Sequence, residues 1–265
     1  MKNPSPILLP SVRYRRRATV FVLLSLAITG ISIYLNFNPL LLFTEFHYVR
    51  DLIGEMLPPN FSILWTNKTI LGSVGQTLAM AFLGTLAGGT IAICMAFLAA
   101  SNTMPLKLVR IFVRALLALE RIIPVLVTVL LFVIAVGLGP FAGVLTITVT
   151  TVGTFGKLFT EAIENAEHAP AEAIFSVGAT RWQVAHFSIL PQVLPSFIAN
   201  FLYAFDINLR VAIGLGIFGA GGIGLQLYMA MKVLHYPDAL ALLCVSTALI
   251  MLTEKLSDHL RKKIL

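Results

Sequence analysis

Apolar positions in this 265-residue chain fall into long blocks separated by short polar stretches. A membrane-spanning helix needs about 20 mostly apolar residues, and six blocks approach that length. The first runs from Ala18 to Asn36, directly after Arg13, Arg15, Arg16 and Arg17. It is too long for a signal-peptide core and no small-x-small cleavage site follows, so it reads as a retained anchor. The second, Thr69 to Ala100, holds no charge in 32 residues. The third, about Leu116 to Leu138, carries Glu120, Arg121 and Pro124 near its start. The fourth runs from Phe141 to about Phe159, with Lys157 near its end. The fifth starts near Gln192, holds Asp206, Asn208 and Arg210, and dissolves into a glycine-rich stretch. The last, Ala239 to Leu252, is short and must borrow flanking residues.

Two other patterns need a separate reading. Leu145 to Thr150 alternates with period two and is β-branched, which in water suggests a strand. A lone strand in lipid leaves its backbone unpaired, so a helix is expected instead. On that helix Thr146, Thr150, Thr154 and Lys157 share a face. Their hydroxyls either bond back to the preceding turn or line one wall of a polar path. Between the first two spans, Phe46, Val49, Leu52, Ile53 and Met56 recur at helical spacing, and Pro58-Pro59 ends the pattern. An amphipathic helix lying in the membrane interface fits, either seating the protein or offering a surface to an extracytoplasmic partner.

Composition agrees with the pattern. Only 12% of residues are charged and 58% are hydrophobic, against about a quarter charged in soluble domains. A water-soluble globule and a disordered chain are both excluded. Cys94 and Cys244 lie in apolar runs, so no disulfide framework arises. The net charge of +7 is explained by placement, because Lys and Arg are retained on the cytoplasmic side. With six spans and both termini inside, 15 of the 19 basic residues fall on or near the inner face; Arg50, Lys68, Arg210 and Lys232 are the 4 toward the outside. Nucleic acid is not needed to account for the charge.

The loop before the fifth span holds Glu161, Glu164, Glu167 and Glu172, a third of the chain's 12 acidic residues. It reads Glu172-Ala173-Ile174, three residues, Gly178, then Ala179-Thr180-Arg181-Trp182, ending in Ile189-Leu190-Pro191. Ala and Glu favour helix and Gly178 permits a break, so two short helices joined at a glycine are expected. This loop resembles the EAA loop of type I ABC importer permeases, with Glu172, Ala173, Gly178, Leu190 and Pro191 at the motif's spacings. Ile174 departs from its second alanine, and Ser188 stands at its isoleucine position, with Ile189 one residue late.

Tyr203 to Arg210, then Gly214 to Gly224, resemble the end of phosphonate-type permeases; Val136 to Val144 and Arg121 with Pro124 resemble the same family. The resemblance covers most of the chain from Gly75 onward. It implies an all-α inner-membrane permease for phosphonate, phosphite or hypophosphite. Implied partners are a periplasmic binding protein, a second permease copy (identical or similar), and two cytoplasmic ATPase subunits that use ATP and Mg; this chain itself would bind no cofactor. The expected organisation is a cytoplasmic tail 1–17, a first span 18–37, a periplasmic segment 38–67, a membrane core 68–258 and a tail 259–265. Within the core, a coupling loop occupies about 161–191 and a glycine-rich gate about 211–226. The ATPase would be engaged by Glu172, Ala173, Gly178, Ala179, Thr180, Arg181, Leu190 and Pro191. The translocation path or gate would draw on Arg121, Thr150, Thr154, Asp206, Asn208, Arg210, Gly219, Gly221 and Gly222.

Asp206 and Arg210, at i, i+4 spacing, can pair with each other and lock the fifth span. Alternatively Arg210 attracts an oxyanion while Asp206 keeps it from becoming a trap. Glu120 and Arg121 admit the same two readings on faces about 100° apart. Gly214-Leu215-Gly216-Ile217-Phe218-Gly219 fits a dinucleotide fingerprint in letters but follows a membrane helix, not a strand. The chain contains no GxxxxGK[ST], no His-Glu-x-x-His and no Gly-x-Ser-x-Gly, so an enzyme reading has no support. Rival readings are a permease of the same type for another solute such as an amino acid, an ion-coupled carrier using Asp206, and a membrane scaffold.

Overall fold

The computed structural model describes residues 10–35, 37–38 and 41–264, and every regular element among them is helical. Lys2 and the rest of residues 1–9, counted above with the inner face, lie outside the described residues. The chain divides into two compact units, residues 1–55 and 56–265.

The first unit holds α1 (Pro10–Tyr34), α2 (Leu41–Thr44) and α3 (Phe46–Met56). Helix α1 starts at Pro10, so the sequence expected as the end of a tail is already helical. No residue of its Arg17–Tyr34 stretch is buried by the chain itself, as suits a helix whose solvent is lipid. The amphipathic helix expected from Phe46 to Met56 is α3, and the following segment holds Pro58 and Pro59, which cannot continue it.

The second unit holds α4 (Ile63–Thr66), α5 (Lys68–Ala99), α6 (Lys107–Ile122), α7 (Val125–Val136), α8 (Pro140–Glu164), α9 (His168–Ser176) and α10 (Arg181–Val184). A π-helical turn, Ala185–Ile189, leads into α11 (Leu190–Leu215), and a second, Gly216–Ala220, precedes α12 (Gly222–Lys232) and α13 (Tyr236–Ile264). Among the described residues five helices are long and apolar enough to cross a membrane, and α6 with α7 makes a sixth crossing if the bent pair is one span. The third block, expected as one span from about Leu116 to Leu138, is instead divided between two helices, since α6 and α7 meet at 93°. Pro124 supplies no N–H, and Ile123 before it is pushed into an extended conformation (φ −79°, ψ 119°). The short last span becomes a 29-residue helix, because its charged end from Glu254 to Lys263 continues the helix beyond the apolar block.

Helices α5 and α8 form the centre of this unit. Ala81, Gly84, Gly88, Ala92, Ala96 and Ala99 make a buried stripe of small residues along α5, which lets two backbones approach closely in lipid. A Cβ on Gly84 would stand 2.6 Å from the Ile147 side chain, and one on Gly88 the same distance from Thr151. Helix α11 packs against both, meeting α8 through Phe197, whose ring lies 4.5 Å from that of Phe159. The β-branched run is helical, with Thr146 Oγ1 donating to the Ala142 carbonyl (2.8 Å), Thr148 to Val144 (2.8 Å) and Thr150 to Thr146 (3.0 Å). Back-bonding of this kind removes the polar cost of threonine in lipid.

Candidate functional site

The loop between α8 and α11 forms a two-helix knob. Helix α9 stops at Val177, and Gly178 turns the chain with φ +85°, where a side chain costs about 1–2 kcal/mol. Its N–H donates to the Phe175 carbonyl at 3.0 Å. Thr180 then caps α10: its N–H donates to Gln183 Oε1 (2.7 Å), and Gln183 N–H returns to Thr180 Oγ1 (3.4 Å). Glu172, Ala173, Thr180 and Arg181 are exposed, and Ala179 and Leu190 are half-buried. Pro191 sits in the first turn of α11, directly after the π-helical turn. The tip is apolar: Val177 is 83% exposed and Trp182 80%, with Phe175 beside them. Those three residues were not singled out in the sequence, although aromatics inside a polar loop were the available signal.

The π-helical turn explains the motif's displaced isoleucine. A π turn holds one residue more than an α turn, so Ile189, one place late in sequence, reaches the core at 3% exposure with Val184 and Ala185. Ser188 is buried on the same turn, and Gln192 Nε2 donates to its carbonyl at 3.1 Å. Below the knob, Glu164 ties three elements together. Its Oε1 accepts from Ser101 N–H (2.7 Å), Ser101 Oγ (2.5 Å) and Arg114 Nη2 (2.6 Å).

The polar residues of α11 find partners other than those expected. Asp206 and Arg210 do not pair with each other. Asp206 Oδ1 accepts from Ser257 Oγ (2.7 Å) and its Oδ2 faces Arg261 at 3.8 Å, whereas Arg210 meets Glu254 at 3.2 Å. Glu254, Ser257 and Arg261 recur at i, i+3, i+7 and present one face of α13, so the two charges on α11 reach across to complementary groups instead of along their own helix. Asn208, about 200° round the helix from either charge, is buried and donates to both Thr85 Oγ1 (2.8 Å) and Thr151 Oγ1 (2.9 Å). It clamps α11 to α5 and α8.

Two outcomes follow. Asn208→Leu is expected to cost about 1–2 kcal/mol, since interhelical hydrogen bonds in lipid average under 1 kcal/mol each; the unfolding midpoint in detergent measures it, and an unchanged midpoint refutes the clamp. Arg210→Glu is expected to reduce the folded fraction by roughly fivefold or less. Adding Glu254→Arg should restore it, which a lone structural role for Arg210 does not predict.

The glycine-rich stretch is a tight, buried turn. Gly219, Gly221 and Gly222 have φ of +96°, +82° and +72°, so glycine is required there. The Gly222 N–H donates to Gln76 Oε1 (3.3 Å) and that of Ile223 to Thr77 Oγ1 (2.9 Å). Two otherwise orphaned donors of α12 are thus satisfied by α5, and Gly139 N–H bonds the Gly219 carbonyl at 2.9 Å. These three donors are committed to protein, and the glycine motif Gly214–Gly219 closes α11 and is not preceded by a strand. Gln76 and Thr77 escaped notice in the sequence; a polar pair within a charge-free run was the clue. Of the threonine stripe, Thr146 is fully buried, Thr150 half-buried and Thr154 exposed, and Arg121 opens onto a cavity shared with Lys157.

Residues 92–265 match the family described as binding-protein-dependent transport system inner membrane component. The phosphite transport system permease protein PtxC of Stutzerimonas stutzeri is 39% identical over 216 residues, covering 81% of this chain and 77% of that protein. The phosphate-import permease protein PhnE of Mycolicibacterium smegmatis is 37% identical over 232 residues, covering 87% of this chain and 43% of that protein. An inward-facing structure of the MetNI methionine ABC transporter superposes with a TM-score of 0.66 at 20% identity, covering 78% of this chain and 99% of that one. With its all-helical type I importer permease fold, the chain belongs to the binding-protein-dependent transport system inner membrane components.

Proposed function

We propose that this chain is the membrane-spanning subunit of an ATP-driven bacterial importer for phosphonate or a reduced phosphorus oxyanion, phosphite or hypophosphite. The observation that carries the substrate class is the 39% identity to a phosphite permease across four-fifths of the chain. Both termini lie in the cytoplasm, the orientation that puts most basic residues inside. ATP and Mg are used by a separate ATPase pair, a periplasmic binding protein delivers the solute, and a second permease copy completes the pore.

The knob is the contact to the ATPase. Its apolar tip, Phe175, Val177 and Trp182, is costly to leave in water and enters a groove of the partner. Helical structure runs from Arg181 to Phe218, where Gly219 at φ +96° breaks it, a rise of about 55 Å at 1.5 Å per residue. This rod links the knob to the Gly219–Gly222 turn, and the Asn208 clamp holds it against α5 and α8 at a point nearer the turn than the knob. Movement of the knob on ATP binding therefore tilts the rod about that clamp and shifts the glycine turn. Nucleotide on one side and loaded receptor on the other bias two states, inward-open and outward-open.

A strain lacking this chain, given the gene back, tests the substrate. Uptake of labelled phosphite or a simple phosphonate that returns with the gene supports the reading. Uptake of an amino acid instead would move the chain to the related importers of other solutes.

A further inference from the structure

At the end of the bundle where α5 and α8 finish, α6 and α8 enclose a cavity of about 280 Å³. Arg114, Arg121 and Lys157 line it, against Glu161 and Glu164. A neighbouring cavity of about 530 Å³ shares Arg114 and Glu164 and adds Lys107 and Arg110. Five cations thus face two carboxylates along one trough. The carboxylates are engaged: Glu164 is held by Arg114 at 2.6 Å, and Glu161 meets Lys157 at 3.5 Å. The second pair is loose, with both side chains more than half exposed. Among the described residues Arg121 enters no salt bridge, so its guanidinium fork is the strongest uncommitted donor at the cavity.

Leu117 and Ala118 supply an apolar wall, and Leu116, Leu119 and Ile122 on the outer faces of α6 are exposed apolar residues of the kind that border lipid. Thr160 also lines the cavity, but its hydroxyl is already donated to the Gly156 carbonyl at 2.7 Å, so the donors available to a guest are cationic. A planar guanidinium beside an ammonium fits a tetrahedral oxyanion, which accepts two parallel N–H bonds from the fork and a point charge from lysine.

We propose that this trough is a binding site for a phosphate-type oxyanion, with Arg121 and Lys157 as its principal donors. Inorganic phosphate and the phosphodiester of an anionic lipid share that chemistry. The proposal does not rest on the importer reading, because binding is measured without ATPase or receptor, and loss in the variants below locates the anion at this trough.

The test has two arms on the full chain. In nanodiscs of phosphatidylcholine, inorganic phosphate is titrated and followed by calorimetry. In detergent, retention of phosphatidylglycerol over phosphatidylcholine is followed by native mass spectrometry. Arg121→Gln combined with Lys157→Gln is expected to weaken whichever anion binds by about tenfold. Phosphate binding in the first arm assigns the site to the free anion, and selective retention in the second assigns it to lipid; either supports the proposal when the double variant loses it. Binding in neither arm, or binding equal in wild type and double variant, overturns it. If the double variant does not fold, Arg121→Lys keeps the charge and removes the fork. It is expected to weaken binding by about threefold, and unchanged binding in it overturns the proposal equally.

Discussion

Gly178→Asp is expected to lower solute uptake by about tenfold or more and to abolish receptor-stimulated ATP hydrolysis, while the protein still accumulates in the membrane. No atom lies within 4 Å of a Cβ built at Gly178, so the substitution meets no steric obstacle. Its cost is conformational: φ is +85°, and an L-residue in that region loses about 1–2 kcal/mol, a factor of ten in equilibrium terms. Asp is among the residues that tolerate the region best, which protects the fold. The added charge lies next to Val177 and close to Trp182, the apolar tip that has to be desolvated against a partner. Gly178→Asn carries the same shape without the charge and should fall between wild type and Asp. Normal uptake by Gly178→Asp would detach the knob from coupling.

Gly224→Ala is expected to have the largest effect on folding, reducing folded protein in detergent to a small fraction of wild type. A Cβ there would overlap the backbone carbonyl oxygen of Ile213, and no rotamer change relieves a clash with main chain. Helix α12 would have to move off the last turn of α11, and the bonds from Gly222 N–H to Gln76 and from Ile223 N–H to Thr77 would go with it. Overpacking of a side chain typically costs about 1–3 kcal/mol; here the loss of two capped donors is added. Gly214→Ala is the control. Its Cβ would find no neighbour within 4 Å, and its backbone is ordinary helix within α11. The fraction of monodisperse protein after detergent extraction should therefore be near wild type for Gly214→Ala and far lower for Gly224→Ala. Equal yields for the two alanine variants would mean that the turn is not closely packed.

The physical reasons why some features were readable in the sequence are specific. A 32-residue stretch without charge has one stable fate in lipid, so α5 followed directly from pattern. The two-helix knob followed from Ala and Glu before a glycine that permits a break; the Thr180–Gln183 cap that starts its second helix went unread. The 93° bend had its cause in view at Pro124, but proline sets only that a helix breaks, not the direction of the next one. The partners of Asp206 and Arg210 were misassigned for a different reason. An i, i+4 pair is always compatible with a local ion pair, whereas the competing stripe of Glu254, Ser257 and Arg261 lies 44 or more residues away and acts only once α11 and α13 are antiparallel. Asn208 was grouped with the polar path residues because nothing local marks a residue that reaches two other helices. Gly224 stood unremarked among glycines whose need is for positive φ; its own need is for space.

The account turns on a permease whose knob passes receptor loading to an ATPase in another chain. ATP hydrolysis by this chain reconstituted in liposomes with its candidate ATPase and binding protein, with and without phosphite or a simple phosphonate, tests that most directly. Hydrolysis stimulated by the loaded receptor and lost in Gly178→Asp is the result predicted. Absence of any association with an ATPase, together with uptake driven by an ion gradient, would contradict it.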